Sequence, residues 1–233
     1  MDTTDSQLDD FVLAVSHCLQ PLADAERALP MAAYMRGQFE FLGIPTPLRR
    51  TSVLPLLKPP RSARFLLAAS CALWQLPERE FQYVAVDLLA RQHQVLALAD
   101  LDAVLGLAQQ RAWWDTVDSL AGVVGDIVHR QSLLEPEAQQ PMDAAVTHPN
   151  VWVRRIAMLH QLGWRADTDE ARLFGYASQL AREPDFFIRK AIGWALRDYA
   201  KHAPDAVRAY LAREGLRLSP LSVREATKHL VRS

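Results

Sequence analysis

Apolar residues recur at three- and four-residue intervals in one segment after another along this chain of 233 residues. This spacing aligns side chains on one face of an α-helix, whereas a half-buried strand alternates apolar and polar residues. The chain contains no alternating run bounded by turn dipeptides, and no Asn-Gly or Asp-Gly pair of the kind that closes a hairpin. The spacing therefore predicts an all-α protein.

The periodic segments predict thirteen helices joined by short connections. Their expected ranges are 6–19, 22–37, 46–57, 61–73, 77–92, 98–110, 112–130, 134–147, 149–163, 167–182, 185–202, 204–213 and 219–231. Ser219 and Pro220, for example, form an N-cap followed by a first-turn proline. The helix pairs 112–147 and 149–182 each span about 35 residues, which is within the usual period of helical-repeat proteins. We therefore expect a HEAT-like helical-repeat solenoid with a concave basic groove, formed as a single domain over residues 1–233.

Charge is distributed unevenly, although the whole chain carries a net charge of only −1. Residues 1–30 carry −5, residues 31–147 carry −2, and residues 148–233 carry +6, with fifteen basic and nine acidic side chains. A basic C-terminal third is compatible with one phosphate-binding surface on an otherwise neutral protein. Charge alone, however, favours an arginine-rich face that is only solvated.

Several functional classes are not expected. Cys18 and Cys71 are isolated and belong to no CxxC pair, which argues against disulfides and thiolate zinc and suits a cytoplasmic protein. The acidic start of the chain does not resemble a signal peptide, and charges interrupt every apolar run that could cross a membrane. Neither a nucleotide-binding loop nor an HExxH or GxSxG motif occurs, and the seven histidines lack ligand-like spacing. We expect no metal and no cofactor.

Trp114 and Asp118 lie four residues apart in the segment WWDTVD and therefore share one face of the predicted helix. A carboxylate beside an indole ring is unusual for a core position, which makes the pair a candidate site. The alternative is that Trp114 belongs to the core and that Asp115 or Asp118 caps the start of the helix. Asp115 fits that capping role better, because Asp118 lies a turn further in.

Arg155 follows Trp152 by three residues in the segment NVWVRR, so these two side chains also share a helix face. The helix macrodipole disfavours a cation near an N-terminus, so Arg155 needs another partner, such as a phosphate or a carboxylate. The alternative is a side chain whose stem covers apolar surface while its charge reaches water.

One helical stripe in the segment 186–201 carries three cations and an indole. They fall at positions i, i+4, i+7 and i+11: Lys190, Trp194, Arg197 and Lys201. The opposite side carries a plausible core of Ile188, Ile192, Ala195, Leu196 and Tyr199. An exposed indole within a row of cations is typical of a nucleic-acid contact face, and a solvated face with one stray tryptophan is the alternative. Gly193 is expected to allow another backbone to approach closely.

Together these segments resemble the AlkD family of bacterial DNA alkylation repair glycosylases. The likeness runs in order along nearly the whole chain, through MAAYMR, FEFLGIPTPLRR, LWQLPEREFQ, WWDTVD, NVWVRR, KAIGWALRDYAK and LSPLSVREATKHL. It implies a HEAT-like solenoid that grips duplex DNA and excises cationic purines alkylated at N3 or N7. The family hydrolyses the N-glycosidic bond without flipping the base. The expected partner is double-stranded DNA with alkylated purines, bound by a monomer with no membrane association.

The resemblance also implies roles for individual residues. Asp118 matches the catalytic carboxylate, and Trp114 and Trp194 match two indoles that flank the backbone of the lesion nucleotide. Arg155 matches a basic residue that contacts the DNA backbone near the lesion, and Tyr34 matches a position close to the DNA. The other cations of the stripe are expected to hold phosphates: Lys190, Arg197 and Lys201.

The chain departs from the family pattern after Gln161-Leu162, where relatives can carry a lysine and this chain has Gly163. The corresponding backbone contact is then absent or moved to Arg165. Two other functions stay open: a non-catalytic HEAT-like relative that only binds DNA, and a HEAT-type protein scaffold. The presence of Asp118 and Arg155 together with both indoles argues against the first, and the cations beside Trp194 argue against the second.

Overall fold

The computed structural model describes the backbone of residues 3–230 and the side chains of residues 6–135 and 137–230. Regular structure within these residues consists of thirteen α-helices and five short 3-10 helices, with no strand. An isolated bridge between Glu40 and Glu78 is the extent of β pairing in the described part of the chain. The all-α prediction is therefore confirmed.

The helices are numbered in chain order. They are α1 (Thr3–Leu19), α2 (Ala25–Tyr34), α3 (Thr46–Leu57), α4 (Ala63–Gln75), α5 (Arg79–Gln92), α6 (Leu101–Leu107), α7 (Trp114–Ser132), α8 (Gln140–Ala145), α9 (Val151–Leu159), α10 (Glu170–Gln179), α11 (Phe186–Tyr199), α12 (Pro204–Glu214) and α13 (Pro220–Ala226). None of these described helices combines the length and the apolar character that a membrane span requires.

Predicted and observed helices agree in order, but several observed helices are shorter. The helix predicted over 22–37 begins only after Asp24, whose carboxylate caps it by accepting the N–H of the third following residue. It ends at Tyr34, because Arg36 and Gly37 adopt left-handed backbone with φ of 57° and 66°. The helices predicted over 98–110, 149–163 and 167–182 are also shorter, and the predicted end at 231 lies outside the described residues.

The chain divides into two compact units, Met1–Leu96 and Ala97–Ser233. In the first unit α4 packs along α5, and α1 lies against α3 and α4. In the second unit α7, α9, α11 and α13 pack one against the next, with α8, α10 and α12 as the intervening helices. Packing between alternate helices is the arrangement of a helical repeat. The single domain over residues 1–233 and the basic groove stay predictions.

Glu80 organises the loop that precedes α3 in the first unit. Its fully buried carboxylate accepts hydrogen bonds from the backbone N–H groups of Leu42, Gly43 and Ile44, at 3.0, 2.9 and 3.1 Å. Gly43 has a φ of +85°, and a Cβ there would lie 2.1 Å from the carbonyl oxygen of Asp24. The close packing of the backbone in this loop therefore accounts for the segment FEFLGIP that precedes α3.

Candidate active site

Aromatic side chains bring together the starts of three helices in the second unit. The ring centroid of Trp113 lies 5.9 Å from that of Trp152 and 5.2 Å from that of Phe187, and the last two are 4.9 Å apart. Trp113 precedes α7, while Trp152 and Phe187 lie in the first turns of α9 and α11. An aromatic pair contributes about 0.5–1.5 kcal/mol beyond the area it buries, so the cluster fixes the three N-termini relative to one another.

Asp118 lies in the second turn of α7 and is held by Arg155 of α9. Arg155 donates from Nε to Oδ1 at 2.6 Å and from Nη2 to Oδ2 at 2.8 Å, and its Nη1 donates to the carbonyl oxygen of Phe187. This carboxylate is the partner that an arginine near a helix start requires. Asp118 is therefore not a capping residue. The N-cap position of α7 is Trp113, which makes no capping hydrogen bond with its side chain.

The structure corrects the alternative in which the stem of Arg155 covers apolar surface while its charge reaches water. Only 1% of the Arg155 side chain is exposed, and its guanidinium donates three hydrogen bonds inside the protein. A direct contact between Arg155 and the DNA backbone stays a prediction. The observed contacts of Arg155 hold the Asp118 carboxylate in one orientation.

The electrostatics of Asp118 result from two opposing influences. Burial raises the pKa of the Asp118 carboxyl above its ordinary value, and the nearby charge of Asp115 adds to the rise. The hydrogen bonds and the positive charge of Arg155 lower this pKa, but they do not outweigh burial. With 23% of its side chain exposed, Asp118 is shielded from bulk water and still accessible to a ligand.

Trp194 joins this site through the same arginine. The Cζ atom of Arg155 lies 5.4 Å from the centroid of the Trp194 ring, and the Nζ atom of Lys190 lies 5.2 Å from it. Trp114 opens α7 one turn before Asp118. Both indoles are half-buried, so neither is enclosed within the helical layers. The structure thus places Asp118, Arg155 and Trp194, from three different helices, in one connected cluster.

The cations of the stripe on α11 are paired with carboxylates. Lys190 and Arg197 both donate to the carboxylate of Glu225 on α13, each at 3.0 Å. Lys201 is more exposed and pairs with Asp198 at 2.8 Å. The prediction that Trp194 is an exposed indole was wrong, because its ring is half-buried. Glu225 was missed because helical spacing shows which side chains share a face but not which helix covers it.

The opposite face of α11 matches its prediction with one exception. The buried residues are Ile188, Ile192, Ala195 and Leu196. Tyr199 is only half-buried, and its hydroxyl donates to Glu170 at 3.0 Å, so it is not a core residue. The expected close approach of another backbone at Gly193 is confirmed, since a Cβ there would lie 2.8 Å from the carbonyl oxygen of Ser222.

Two further residues, Tyr34 and Arg165, are candidates for contact with DNA. Tyr34 ends α2 in the first unit and is 71% exposed, so it is accessible to a ligand. Arg165 follows Trp164, whose ring centroid lies 4.7 Å from that of His129. His129 is eleven residues beyond Asp118 on α7, about 16 Å along the helix axis at 1.5 Å per residue. Arg165 therefore sits near the other end of α7, and it does not complete the site around Asp118.

No three histidine, cysteine or acidic side chains among the described residues are grouped so that they could hold a metal ion. The arrangement that the described part of the second unit offers is a shielded carboxylate, two half-buried indoles and nearby cations.

Comparisons with known proteins identify relatives of this chain. A family model described as DNA alkylation repair enzyme matches residues 15–230. The solved structure of a predicted DNA alkylation repair enzyme from Enterococcus faecalis is 35% identical, with a TM-score of 0.82, over 91% of this chain and 98% of that one. No curated protein matches the chain.

Two structures from Streptococcus mutans are more distant relatives in fold. AlkD2 is 18% identical with a TM-score of 0.58, over 74% of this chain and 84% of its own. The smu.31 protein of strain UA159 is 17% identical with a TM-score of 0.60, over 87% of this chain and 96% of its own. At these identities the likeness shows a shared helical fold.

Proposed function

The chain belongs to the family of DNA alkylation repair enzymes, and from this premise we propose that it is a DNA glycosylase. Its substrates are cationic purines alkylated at N3 or N7 in duplex DNA, and its reaction is hydrolysis of the N-glycosidic bond. The observation that carries the proposal is the pairing of Asp118 with buried Arg155, which in turn contacts Trp194. A carboxylate held in this way has a defined position before any DNA arrives.

The chemistry fits a carboxylate without a strong acid partner. An alkylated purine already carries a positive charge, so the electron pair of the breaking bond neutralises the base as it leaves. The deoxyribose develops positive charge at C1′, which an ionised carboxylate stabilises. Water then bonds to C1′, and the proton that it loses passes to Asp118 and on to solvent. The products are an abasic site and a neutral alkylpurine.

The neighbouring side chains have distinct roles in this proposal. Trp114 and Trp194 present indole faces to the lesion nucleotide, where a cation–π contact contributes about 0.5–2 kcal/mol. Arg155 orients Asp118 and opposes the rise that burial causes in the pKa of its carboxyl. The residues proposed to contact the DNA backbone are Tyr34, Arg155, Lys190, Arg197 and Lys201. Contact through the backbone requires no base flipping, so cationic lesions that break down readily are favoured as substrates.

The test is base release from duplexes that carry 7-methylguanine, 3-methyladenine or an uncharged lesion. We expect the wild type to release the two cationic bases and not the uncharged one, and Asp118→Asn to release little of either. Asp126→Asn is the matched control, because Asp126 is an exposed carboxylate on the same helix. Retained DNA binding without any base release by the wild type would favour the non-catalytic relative. Binding to protein partners that is insensitive to salt would favour the scaffold. The monomeric state and the cytoplasmic location stay predictions.

A further inference from the structure

Glu225 on α13 is a buried carboxylate that holds three cations. Only 4% of its side chain is exposed, and it accepts hydrogen bonds from Lys190 at 3.0 Å, Arg197 at 3.0 Å and Lys228 at 2.9 Å. Burial acts to raise the pKa of Glu225, but the hydrogen bonds and charges of the two lysines prevail and hold it at about 2. The carboxylate is therefore ionised at any pH at which DNA is stable.

The backbone brings Glu225 to this position. Gly193 of α11 faces it, and a Cβ at that position would lie 2.4 Å from the Cβ of Glu225 and 2.8 Å from the carbonyl oxygen of Ser222. The hydroxyl of Ser222 also donates to the carbonyl oxygen of Arg189 at 2.9 Å. Because α13 packs directly on α11, the carboxylate of Glu225 lies between Lys190 and Arg197, two cations of α11.

Those two cations flank Trp194 along α11. Lys190 precedes Trp194 by one helical turn and Arg197 follows it by nearly one turn, so all three residues share a face. The Nζ atom of Lys190 lies 5.2 Å from the Trp194 ring centroid while it donates to Glu225. One carboxylate thus fixes an ammonium group against the indole, and three cations on one anion leave a local charge of +2.

We propose that Glu225 is a positioning residue of the DNA site, which acts through Lys190 to fix the orientation of Trp194. The proposal rests on the assignment of Trp194 to the lesion site. It predicts that a residue from the last described helix, which does not itself face the lesion, controls turnover without contributing to affinity for DNA. Removal of its negative charge would help the approach of phosphates and would disorder the indole.

The first test is Glu225→Gln, which preserves shape and removes the charge. We expect the variant to bind undamaged duplex at least as tightly as the wild type, with a steeper dependence on salt, because one negative charge is lost. We expect single-turnover release of 7-methylguanine to slow by about tenfold or more, because small displacements of a positioned group are costly to the rate. Glu225→Asp, which keeps the charge, should recover part of that rate.

Glu214→Gln is the matched control. Glu214 on α12 also pairs with arginine, through Arg217 at 2.8 Å, and its loss changes the net charge of the same unit equally. We expect a comparable gain in DNA affinity with an unchanged rate of excision. Equal rates for a folded Glu225→Gln variant and the wild type would overturn the proposal.

A double-mutant cycle with Lys190→Met tests the route through the ammonium group. If Glu225 acts through Lys190, the two substitutions together should slow excision little more than either one alone, and fully additive losses would overturn the proposal. If Glu225→Gln fails to fold, the Lys190→Met variant is tested by itself. Glu225 keeps Arg197 and Lys228 as partners in that variant, so its carboxylate stays paired. An unchanged rate of excision in Lys190→Met would then overturn the proposal.

A spectroscopic measurement separates this proposal from the proposed function. The indole Nε1–H resonance of Trp194, assigned by comparison with Trp194→Phe, should shift or broaden in Glu225→Gln and stay in place in Glu214→Gln. If the wild type releases no base but this resonance responds as expected, then the glycosylase assignment fails while the positioning contact stands. An unmoved resonance in Glu225→Gln contradicts the positioning role whatever the activity.

Discussion

Arg155 donates two parallel hydrogen bonds to the carboxylate of Asp118, from Nε to Oδ1 at 2.6 Å and from Nη2 to Oδ2 at 2.8 Å, although the two residues lie 37 positions apart in sequence. This geometry fixes both oxygens of the carboxylate and gives it a single orientation. The pair also links catalysis to stability, because removal of one residue would leave the other as a poorly solvated charge.

Replacing Asp118 by asparagine should reduce the single-turnover release of 7-methylguanine by at least about 10²-fold, because the negative charge opposite the developing sugar cation is lost. DNA binding should stay measurable. The variant should also lose about 3–5 kcal/mol of unfolding free energy, since Arg155 keeps a buried charge without its partner. Binding and denaturation are therefore measured together with the rate, and full activity would remove Asp118 from its proposed role.

Replacing Arg155 by methionine should move the acid limb of the pH–rate profile upward. The pKa of Asp118 is already raised by burial, and Arg155 is the group that opposes the rise, so its removal raises this pKa further. Arg155→Lys should rescue only part of the rate, because an ammonium cannot form the two-pronged pair. The exposed Arg182 provides the control as Arg182→Met. An acid limb that stays in place would contradict the coupling.

Trp194→Ala should weaken both the affinity for lesion-containing duplex and turnover, by about tenfold each, for the loss of one cation–π contact. The ring is half-buried and contacts Arg155 and Lys190, so the fold should survive its removal. Thermal unfolding checks this directly. A variant that is unfolded at assay temperature would show that the indole belongs to the core, and the interpretation of the α11 stripe would then be wrong.

Gly193→Ala should destabilise the protein by about 1–3 kcal/mol, because the added methyl group collides with Glu225 and with the backbone of Ser222. Gly122→Ala is the matched control within α7, since a Cβ there meets no atom within 4 Å. That substitution should stabilise the protein by about 0.5–1 kcal/mol through helix propensity. Chemical denaturation distinguishes the two, and equal effects would show that α13 is not closely seated on α11.

His160 should make the stability of the protein depend on pH. Burial lowers its pKa from an ordinary 6.5 to about 4, and the backbone oxygen of Ala157 only partly offsets this. Because the folded pKa is the lower one, the contribution is complete above about pH 6.5 and is lost as the pH falls towards 4. The loss amounts to about 3 kcal/mol at 1.36 kcal/mol per pKa unit. His160→Gln should flatten the unfolding free energy between these pH values, whatever its effect at pH 7.

Local periodicity alone was enough to predict much of this molecule. The period of the apolar residues depends only on the geometry of one helix, so the all-α class, the order of the helices and the buried face of α11 follow from neighbours in sequence. The shared face of Trp114 and Asp118 follows in the same way, from a spacing of four residues. Helix ends were less predictable, because a cap such as Asp24 or a left-handed residue such as Arg36 acts on single positions.

Contacts between helices were decided only by the tertiary structure. The sequence predicted that Arg155 lies near a helix start and needs an anionic partner. Only the packing of α9 on α7 identifies that anion as Asp118. The sequence also placed Lys190 and Arg197 on one stripe, yet only the packing of α13 on α11 brings Glu225 between them. Spacing along a chain determines which side chains face the same way, whereas their partners depend on which surfaces the apolar faces bury together.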